Sequence, residues 1–477
     1  MSAIHRPLPP PPATADYLRQ FWLAAGGDPA PPSQVAITGQ GALPSAFAVT
    51  EFATAAIGAA GLAMAEFVAA GAGAAGAPAV PAVEGDQRLA SFWFGTSLRP
   101  IGWSMPPLWD AVAGDYRAAD GWIRLHTNAP HHRDAALAVL GVAADRDAVA
   151  RAVARWRADE LEAAVVEHNG CAAAMRGLDA WRQHPQGQSV AAEPLLHRAA
   201  SGGGGARPAW RISRQRPLQG LRVLDLTRIL AGPVATRFLA GFGADVLRID
   251  PPGWEEPGTV PEVVLGKRCA RLDLKSAEGL ATLQRLLSQA DVLIHGYRAD
   301  ALARLGLDGE RRRQLNPTLV DVSLDAYGWS GEWRGRRGFD SLVQMSTGIA
   351  EAGMRAKGGD RPVPLPCQAL DHGTGYLMAA AAIRGLTERL ATGAGSTTRA
   401  SLARSAQLLV AHGGLLEGGP ALAPESAADW SEQIEATAWG PVRRVKPPLR
   451  IADTPQSWDY PASALGSSEA AWRDSSR

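Results

Sequence analysis

The stretch LQGLRVLDLTRILAGPVATRFLAGFGADVLRID at residues 218–250 decides the fold of this 477-residue chain. An apolar run at 221–226 ends in the turn-rich segment 227–233, and a helix of small residues precedes Gly243 and a second apolar run at 245–249. This order predicts a βαβ unit. The loop follows the first predicted strand, where open parallel sheets bind ligands. It lacks G-x-G-x-x-G, so an ordinary dinucleotide-binding fold is a poor match.

Composition and charge exclude several classes of protein. A chain of 477 residues exceeds one ordinary core, so we expect two or three domains. The formal net charge is +1 and there is no long basic block, so nucleic-acid binding is not indicated. Residues 52–76 could be mistaken for a membrane span. They are mostly Ala and Gly, with Glu66 inside, and therefore predict a buried helix and no membrane interaction.

Cysteine usage and the N-terminus predict a cytoplasmic protein. Cys171, Cys269 and Cys367 are far apart, an odd count without CxxC spacing, which indicates a reducing compartment and no disulfide framework. The Pro-rich N-terminus has no apolar core of the kind that a signal peptide needs.

Further segments repeat the βα pattern along the second half of the chain. They are DLKSAEGLATLQRLLSQADVLIHGYRADALARLGLD at 273–308, LNPTLVDVSLDAYGWSG at 315–331, GFDSLVQMSTGI at 338–349 and RPVPLPCQALDHGTGYLMAAAAIRGLTERLATGAG at 361–395. With the opening stretch they resemble, in the same order, the family III CoA-transferases, which include formyl-CoA and carnitine-CoA transferases and α-methylacyl-CoA racemase. The resemblance covers roughly residues 217–409. It implies an α/β fold, with a Rossmann-like large domain around a parallel sheet and a smaller α+β domain.

The N-terminal half resembles other parts of the same family, in an unusual order. WDAVAGDYRAADGWIRLHTNAPHHRDAALAVLG at 109–141 is similar to the family's small domain, with strands predicted at 115–117 and 121–126 and helices at 145–157 and 158–169. TEFATAAIGAAGLAMAEFVAAGAG at 50–73 is a weak repeat of 371–395. We interpret the chain as a fused or permuted member. Its predicted parts are a large-domain-like fragment (1–100), the small domain (101–198), a Gly-rich linker (199–208), the CoA-binding catalytic domain (209–420) and a C-terminal tail of the large domain (421–477).

Asp371 is the candidate nucleophile. It follows the apolar run 364–370 and opens a helix of small residues, where an Asp often caps the helix by accepting backbone N–H bonds. Local sequence alone therefore favours a capping role. The pattern Pro-x-x-x-x-Asp-x-x-x-Gly, formed by Pro366, Asp371 and Gly375, marks the nucleophile in the family that the chain resembles.

The resemblance implies a CoA-transferase reaction through that carboxylate. It would attack an acyl-CoA thioester and form an aspartyl-CoA thioester by way of a mixed anhydride, and an acceptor carboxylate would then take the CoA. Acyl-CoA and a free carboxylic acid are the implied substrates, with no metal or tightly bound cofactor. A helix N-terminus is expected to keep Asp371 ionised, and Gly373 and Gly375 to let the thioester approach the backbone. The family's interlocked dimers imply a homodimer. A monomer is the rival outcome, because the additional large-domain fragment at the N-terminus could mimic part of a second subunit.

Two alternatives remain on this scaffold. Racemases of the superfamily pair the same Asp with a His in a Gly-His-Asp triplet, which reads Gly338-Phe339-Asp340 here. Phe cannot carry a proton, so a transferase is favoured over a racemase or isomerase. Asp340 is predicted either to cap the following helix or to touch substrate. The rearranged order also leaves open a catalytically degenerate subunit that binds acyl-CoA.

The resemblance assigns eight residues to CoA. They are Arg228, Ile229 and Ala231 in the first loop, Leu272 and Lys275, Gly296 and Tyr297 after the HGY strand, and Arg304 in the next helix. The nucleotide and phosphates of CoA call for cationic and backbone donors. A single arginine in an Arg-rich chain is nevertheless usually a solvated surface charge. Pro251-Pro252 replaces a basic residue of the family, so the adenine-side contacts depart from its pattern.

The remaining candidates are weaker. His126, His131 and His132 have no acidic or Cys partner in sequence, so no metal site is predicted. Aligning the two repeats places Thr50 or Glu51 where Asp371 stands. Glu51 carries a carboxylate, so a second active site is conceivable, but no loop equivalent to 227–233 precedes it. We therefore expect one functional CoA site per chain, with the N-terminal half serving structure and acyl-side selectivity.

Overall fold

The computed structural model describes residues 12–29, 35–71, 80–201, 206–208, 210–297, 300–413 and 420–473. The glycines at 202–205, predicted as a linker, lie outside these ranges. The strands are β1 (Val35–Thr38), β2 (Val83–Asp86), β3 (Leu98–Pro100), β4 (Gly114–Arg117), β5 (Trp122–Leu125), β6 (Ala172–Ala174), β7 (His197–Ala200), β8 (Arg222–Leu226), β9 (Asp245–Asp250), β10 (Lys267–Arg271), β11 (Val292–His295), β12 (Val320–Asp325), β13 (Ser396–Ser401), β14 (Trp430–Thr437), β15 (Gly440–Val445) and β16 (Leu449–Ile451).

The helices join and cover these strands. They are α1 (Pro12–Ala24), α2 (Val49–Gly71), α3 (Gln87–Gly95), α4 (Pro130–Leu140), α5 (Arg146–Val153), α6 (Ala158–Glu167), α7 (Leu178–Gln183), α8 (Pro185–Ala192), α9 (Ala231–Gly241), α10 (Val260–Val263), α11 (Ala277–Ser288), α12 (Ala301–Arg304), α13 (Gly309–Leu315), α14 (Asp340–Ser346), α15 (Ile349–Ala356), α16 (Ala369–Thr392) and α17 (Leu402–Ala411), with a 3₁₀ turn at Ala427–Asp429.

A seven-stranded sheet forms the centre of the large domain. Its order is β10-β9-β8-β11-β12-β13-β7. The first six strands pair in parallel and β7 is an antiparallel edge strand. Counted along the chain from β8, the parallel strands have the Rossmann order 3-2-1-4-5-6. The predicted α/β class and the predicted β8–α9–β9 unit are confirmed. The strand order reverses between β8 and β11, which leaves a ligand crevice at their carboxyl ends.

The small domain is a three-stranded sheet with helices on one side. β4, β5 and β6 pair in antiparallel fashion. They bury their own apolar cluster with α4, α5 and α6 around Ile123, Leu125 and Leu161. The strands and helices predicted in this segment are therefore present. β6 also packs against α14 of the large domain, through a cluster of Cys171, Ala173, Leu342, Met345 and Ala350.

The N-terminal fragment packs into the core of the large domain. Helix α2 has the length and apolar composition of a membrane span, with mean hydropathy 1.6, but 89% of that stretch is buried inside the protein. The buried helix predicted at this position is confirmed. α2 runs parallel to α16, because Phe52 meets Gly373 near their starts and Glu66 forms an ion pair with Arg384 near their ends.

The N-terminal fragment also shares two small sheets with the C-terminal tail. β1 and β2, which precede and follow α2 along the chain, pair in parallel. β16 pairs with β2 as an antiparallel strand. β3 pairs with β15 of the β14–β15 hairpin. The weak sequence repeat covers only the helices α2 and α16, but the order α2–β2–α3 also matches α16–β13–α17 of the large domain.

Candidate active site

Asp371 lies in the first turn of α16, at its third residue. The helix begins at Ala369 after the flanking residue Gln368, and no side chain caps it. The capping role that local sequence favours for Asp371 is therefore wrong, because the capping position is occupied by Gln368, three residues earlier. Asp371 is buried at this position, with 7% of the residue exposed.

Asp371 is paired with Asp340, the first residue of α14. The backbone N–H of Asp371 donates to Oδ2 of Asp340 at 2.9 Å, and Gln344 Nε2 donates to Oδ1. Asp340 does not cap α14, since Phe339 occupies the flanking position and no capping bond forms. Asp340 is thus a positioning group behind the candidate nucleophile, and it is 1% exposed.

Burial controls the ionisation of this pair. It raises the pKa of Asp371 well above its usual range, and the charge of Asp340 raises it further. Burial also raises the pKa of Asp340. These two effects favour the neutral form of Asp371, so the expectation that the helix N-terminus keeps it ionised is not supported. A carboxyl in this setting must lose its proton before it can attack a thioester.

Gly373 and Gly375 serve helix packing. A Cβ on Gly373 would lie 2.1 Å from the Phe52 ring, and one on Gly375 would lie 2.4 Å from the carbonyl oxygen of Ala231. Both faces are already filled by α2 and α9. The predicted role of these glycines, approach of the thioester to the backbone, is therefore not supported by the packing.

The first loop places Arg228 in an aromatic slot at the crevice. Its guanidinium lies 4.3 Å from the Trp254 ring centroid and 5.1 Å from that of Tyr297, within cation–π range. The next residue, Ile229, has φ 64°, an uncommon conformation for a β-branched side chain. Its N–H donates to Glu256 Oε1 at 3.1 Å, which holds the loop in this shape.

A buried charge network stands behind this loop. Arg248, at 0% exposure, donates to Asp250 and to Glu256 Oε2. Lys267 Nζ donates to Asp225 Oδ2 at 3.0 Å, and this carboxylate also takes the hydroxyls of Thr227 and Thr236. Buried ions of this kind persist only when they are paired and hydrogen-bonded. The network therefore fixes the end of β8 rigidly.

The other residues assigned to CoA lie along the same carboxyl edge, with differing access. Ala231 is the buried first residue of α9, and Leu272 is half-buried directly after β10. Lys275 and Gly296 are exposed in the loops after β10 and β11. Arg304 is 57% exposed in its side chain and forms a surface ion pair with Asp300. The contacts bring together Arg228 and Tyr297, with Trp254 as an unpredicted third member, whereas Arg304 has the surface environment usual for arginine.

The small domain adds histidines that sequence reasoning did not connect to the site. The His126 ring stacks on Phe339 with centroids 3.7 Å apart, and His132 meets the same ring edge-on at 5.8 Å. Burial, together with Arg124 and His132, lowers the pKa of His126 well below its usual value. A neutral imidazole therefore lies beside the residue that precedes Asp340. Among the described residues, Nδ1 of His126 and Nδ1 of His132 have no hydrogen-bond partner.

Metal-binding chemistry has no support among the residues that the structure describes. No group of three His, Cys, Asp or Glu side chains there could hold an ion. Cys367, four residues before Asp371, has its pKa raised by burial, so its thiol stays protonated.

The family profile and three relatives that this chain matches are all named as CoA-transferases or acyl-CoA transferases. The profile of CoA-transferase family III matches residues 218–429. An acyl-CoA transferase of Gibberella moniliformis is 30% identical over 327 residues, which cover 63% of this chain and 56% of that protein. A succinate–glutarate CoA-transferase of Agrobacterium fabrum is 36% identical over 156 residues, 29% of this chain and 39% of that protein. A probable fatty acyl-CoA transferase of Mycobacterium tuberculosis is 31% identical over 201 residues, 39% and 50% of the two chains.

These matches are partial, since the chain spans about half the length of the curated relatives it matches. Among solved structures, the orthorhombic form of a Mycobacterium tuberculosis protein aligns with 42% of this chain and 58% of that one, at 28% identity and a TM-score of 0.39. A CaiB/BaiF family protein of Brucella suis aligns with 48% and 65%, at 25% identity and a TM-score of 0.36. The profile match and the names of these relatives show that residues 218–429 of the chain are similar to CoA-transferase family III.

Proposed function

We propose that this chain is an enzyme that transfers CoA between an acyl-CoA thioester and a free carboxylic acid, with Asp371 as the nucleophile. One observation supports this most directly: the Asp371 carboxyl is buried in the first turn of α16, supported by Asp340, within the segment that matches the family. Coenzyme A and acyl-CoA enter as substrates, and the Arg228–Trp254–Tyr297 slot is the proposed contact for the nucleotide part of CoA.

The proposed reaction is two acyl exchanges at one carboxylate. Ionised Asp371 attacks the thioester carbonyl, forms a mixed anhydride and expels CoA thiolate. The thiolate attacks the aspartyl carbonyl, releases the first acid as its carboxylate and leaves an aspartyl-CoA thioester. The acceptor carboxylate then attacks this thioester, and the expelled thiolate attacks the new anhydride at the acceptor's carbonyl. This last step gives the new acyl-CoA and restores Asp371.

Substituting Asp371 tests the mechanism. We expect Asp371→Ala and Asp371→Asn to lower transfer on the order of 10³-fold or more, as loss of a covalent nucleophile does. The measurement is mass spectrometry of products from a panel of acyl-CoAs and free acids. Hydroxylamine should trap the activated Asp371 of the wild-type chain after incubation with acyl-CoA. Transfer that survives both substitutions in a folded protein contradicts the mechanism.

A second candidate, α-carbon racemisation, is favoured by one contact. Phe339 removes the proton carrier of the racemase triplet, but the structure brings the neutral His126 against that ring. Exchange of the α-proton of a 2-methylacyl-CoA in D₂O, followed by NMR, separates the two. Exchange that is lost in His126→Ala while CoA transfer is absent would favour the racemase. No exchange alongside transfer favours the transferase.

The degenerate acyl-CoA-binding subunit stays the third alternative. It predicts acyl-CoA binding by titration calorimetry without product formation for any member of the panel. A cytoplasmic location is also proposed, in keeping with three free cysteines of which Cys171 and Cys269 are buried. Cell fractionation of the tagged chain tests it.

A further inference from the structure

A cavity opens between the N-terminal fragment and the large domain. Its volume is about 950 Å³, within the range of small-molecule pockets. Asp371 does not line it. Its lining comes from the segment 39–47 and the start of α2 on one side, and from α15, residues 363–366 and residues 420–421 on the other. Most of these side chains are apolar, among them Ile37, Leu43, Phe47, Ile349, Val363 and Leu365.

Glu51 is the carboxyl group of this cavity. It is the third residue of α2, as Asp371 is the third residue of the parallel helix α16. Both side chains are 7% exposed. Other buried carboxylates of the protein have cationic partners, such as Glu262 with Arg237 and Asp225 with Lys267. Within the described residues, the contact found for the Glu51 carboxyl is with its own backbone N–H.

Burial of a carboxyl without a cationic partner disfavours its charged form. Burial raises the pKa of Glu51 and so favours its protonated form, which is an O–H donor. Tyr17 of α1 is the titratable group that interacts with Glu51, and both burial and the charge of Glu51 raise the pKa of Tyr17. The Glu51 end of the cavity therefore offers two kinds of donor, the Glu51 O–H and the N-terminus of α2. Lys357 adds a cationic side chain to the lining of the same cavity.

This arrangement matches one class of small molecule. A carboxylate head accepts from a neutral carboxyl, is favoured at a helix N-terminus and is attracted by an ammonium group. An unbranched aliphatic tail suits the apolar lining. We propose that the cavity binds an aliphatic carboxylic acid, with its carboxylate at Glu51 and its tail along the 39–47 segment and α15.

The proposed site borders the candidate active site but is separate from it. The N–H of Leu365 in the cavity wall donates to Gln344 Oε1 at 2.7 Å, and Gln344 also donates to Asp340. The cavity wall is therefore linked to the candidate active site through Leu365, Gln344 and Asp340. This proximity places a bound acid where it can influence Asp340, without requiring Glu51 to react.

Decanoate is the probe for the test. We expect titration calorimetry of the full chain to show decanoate binding that Asp371→Ala retains. Glu51→Leu should weaken it about tenfold or more, because it removes a hydrogen bond to a charged group. Glu51→Gln should keep the binding, since its amide still donates. Wild-type affinity should fall as pH rises and the Glu51 proton is lost, whereas Glu51→Gln should show a smaller fall.

A second variant, which blocks the cavity sterically, tests the proposal if Glu51→Leu does not fold. Ala356→Trp fills the cavity from the end of α15, and Ala119→Trp is its exposed control in the turn between β4 and β5. Decanoate binding should be lost in the first and kept in the second. Binding that is absent from the wild type, unchanged in Ala356→Trp, or lost only with Asp371→Ala overturns the proposal. The last outcome would place the acid in the active site and would leave the proposed transferase function intact.

Discussion

The carboxyl of Asp371 is subject to two opposing demands. Attack on a thioester needs the ionised form, whereas burial and the nearby Asp340 favour the neutral form. Neither demand can be seen in the local sequence, because Asp340 reaches Asp371 from a different helix. The candidate nucleophile is predicted from a sequence pattern, whereas the factors that shift its pKa come from packing.

The pH dependence of CoA transfer should follow the ionisation of Asp371. Because the pKa of Asp371 is raised, we expect kcat/KM to fall as pH decreases through that pKa, well above the 3.8 of an unperturbed aspartate. This acidic limb of the pH–rate profile belongs to the Asp340–Asp371 pair, since the two groups titrate together. Asp340→Asn should move it to lower pH by removing the like charge. A rate that is flat down to about pH 4, where a free aspartate titrates, contradicts the raised pKa.

The raised pKa of Asp371 also predicts that Asp371→Asn is more stable than the wild type at alkaline pH. Because the pKa of Asp371 is raised in the folded state, its proton stabilises the folded wild type relative to the unfolded chain at low pH. This stability is lost as pH rises through the folded-state pKa. Asp371→Asn cannot ionise. Its Tm should therefore exceed that of the wild type at alkaline pH, and the difference should shrink on acidification. Thermal denaturation over a pH series measures it, and an Asn variant that is less stable throughout contradicts it.

At the scale of elements, the loop after β8 depends on a residue outside it. Glu256 accepts the N–H of Ile229 and pairs with Arg248, while its neighbour Glu255 forms a surface ion pair with Arg271. Local reasoning identifies the loop from its strand and helix. It does not identify Glu256, because that residue lies beyond the Pro251-Pro252 turn and is connected to the loop only by the fold.

Glu256→Gln should loosen this loop. We expect a rise in the KM for acyl-CoA of about tenfold with a smaller change in kcat, and a loss of stability on the order of 1–3 kcal/mol as Arg248 loses one carboxylate. Glu255→Gln is the matched control and should change neither, since its ion pair with Arg271 lies at the surface. Equal effects in the two variants would exclude a specific role for Glu256.

The pairing of α2 with α16 depends on close approach at Gly373. A Cβ there would lie 2.1 Å from the Phe52 ring, so we expect Gly373→Ala to destabilise the protein by about 1–3 kcal/mol. Phe52→Leu should recover part of the loss when it is combined with Gly373→Ala. Gly121→Ala, where nothing lies within 4 Å, serves as the control. Denaturant unfolding of the single and double variants gives the coupling energy, and an additive pair contradicts the contact.

At the scale of the whole molecule, sequence order and spatial order differ. The βαβ units of the large sheet were predictable because each is a local pattern of apolar runs and turns. The contact of His126 with Phe339 was not, because it requires the small domain to dock on α14 through β6. The weak repeat predicted that 50–73 is similar to 371–395, but the parallel packing of the two helices it describes is a property of the assembled chain.

This packing bears on the predicted homodimer. α2 covers one face of α16 in the same chain, and the two helices start with equivalent carboxyl residues, Glu51 and Asp371. The N-terminal fragment thus supplies within one chain a helix that a second copy could otherwise provide, and an apolar face that is already buried drives no further association. We predict that light scattering at micromolar concentration gives a mass near 50.1 kDa, that of one chain. A mass of about twice that value would support the homodimer implied by the family and would show that a different surface forms its interface.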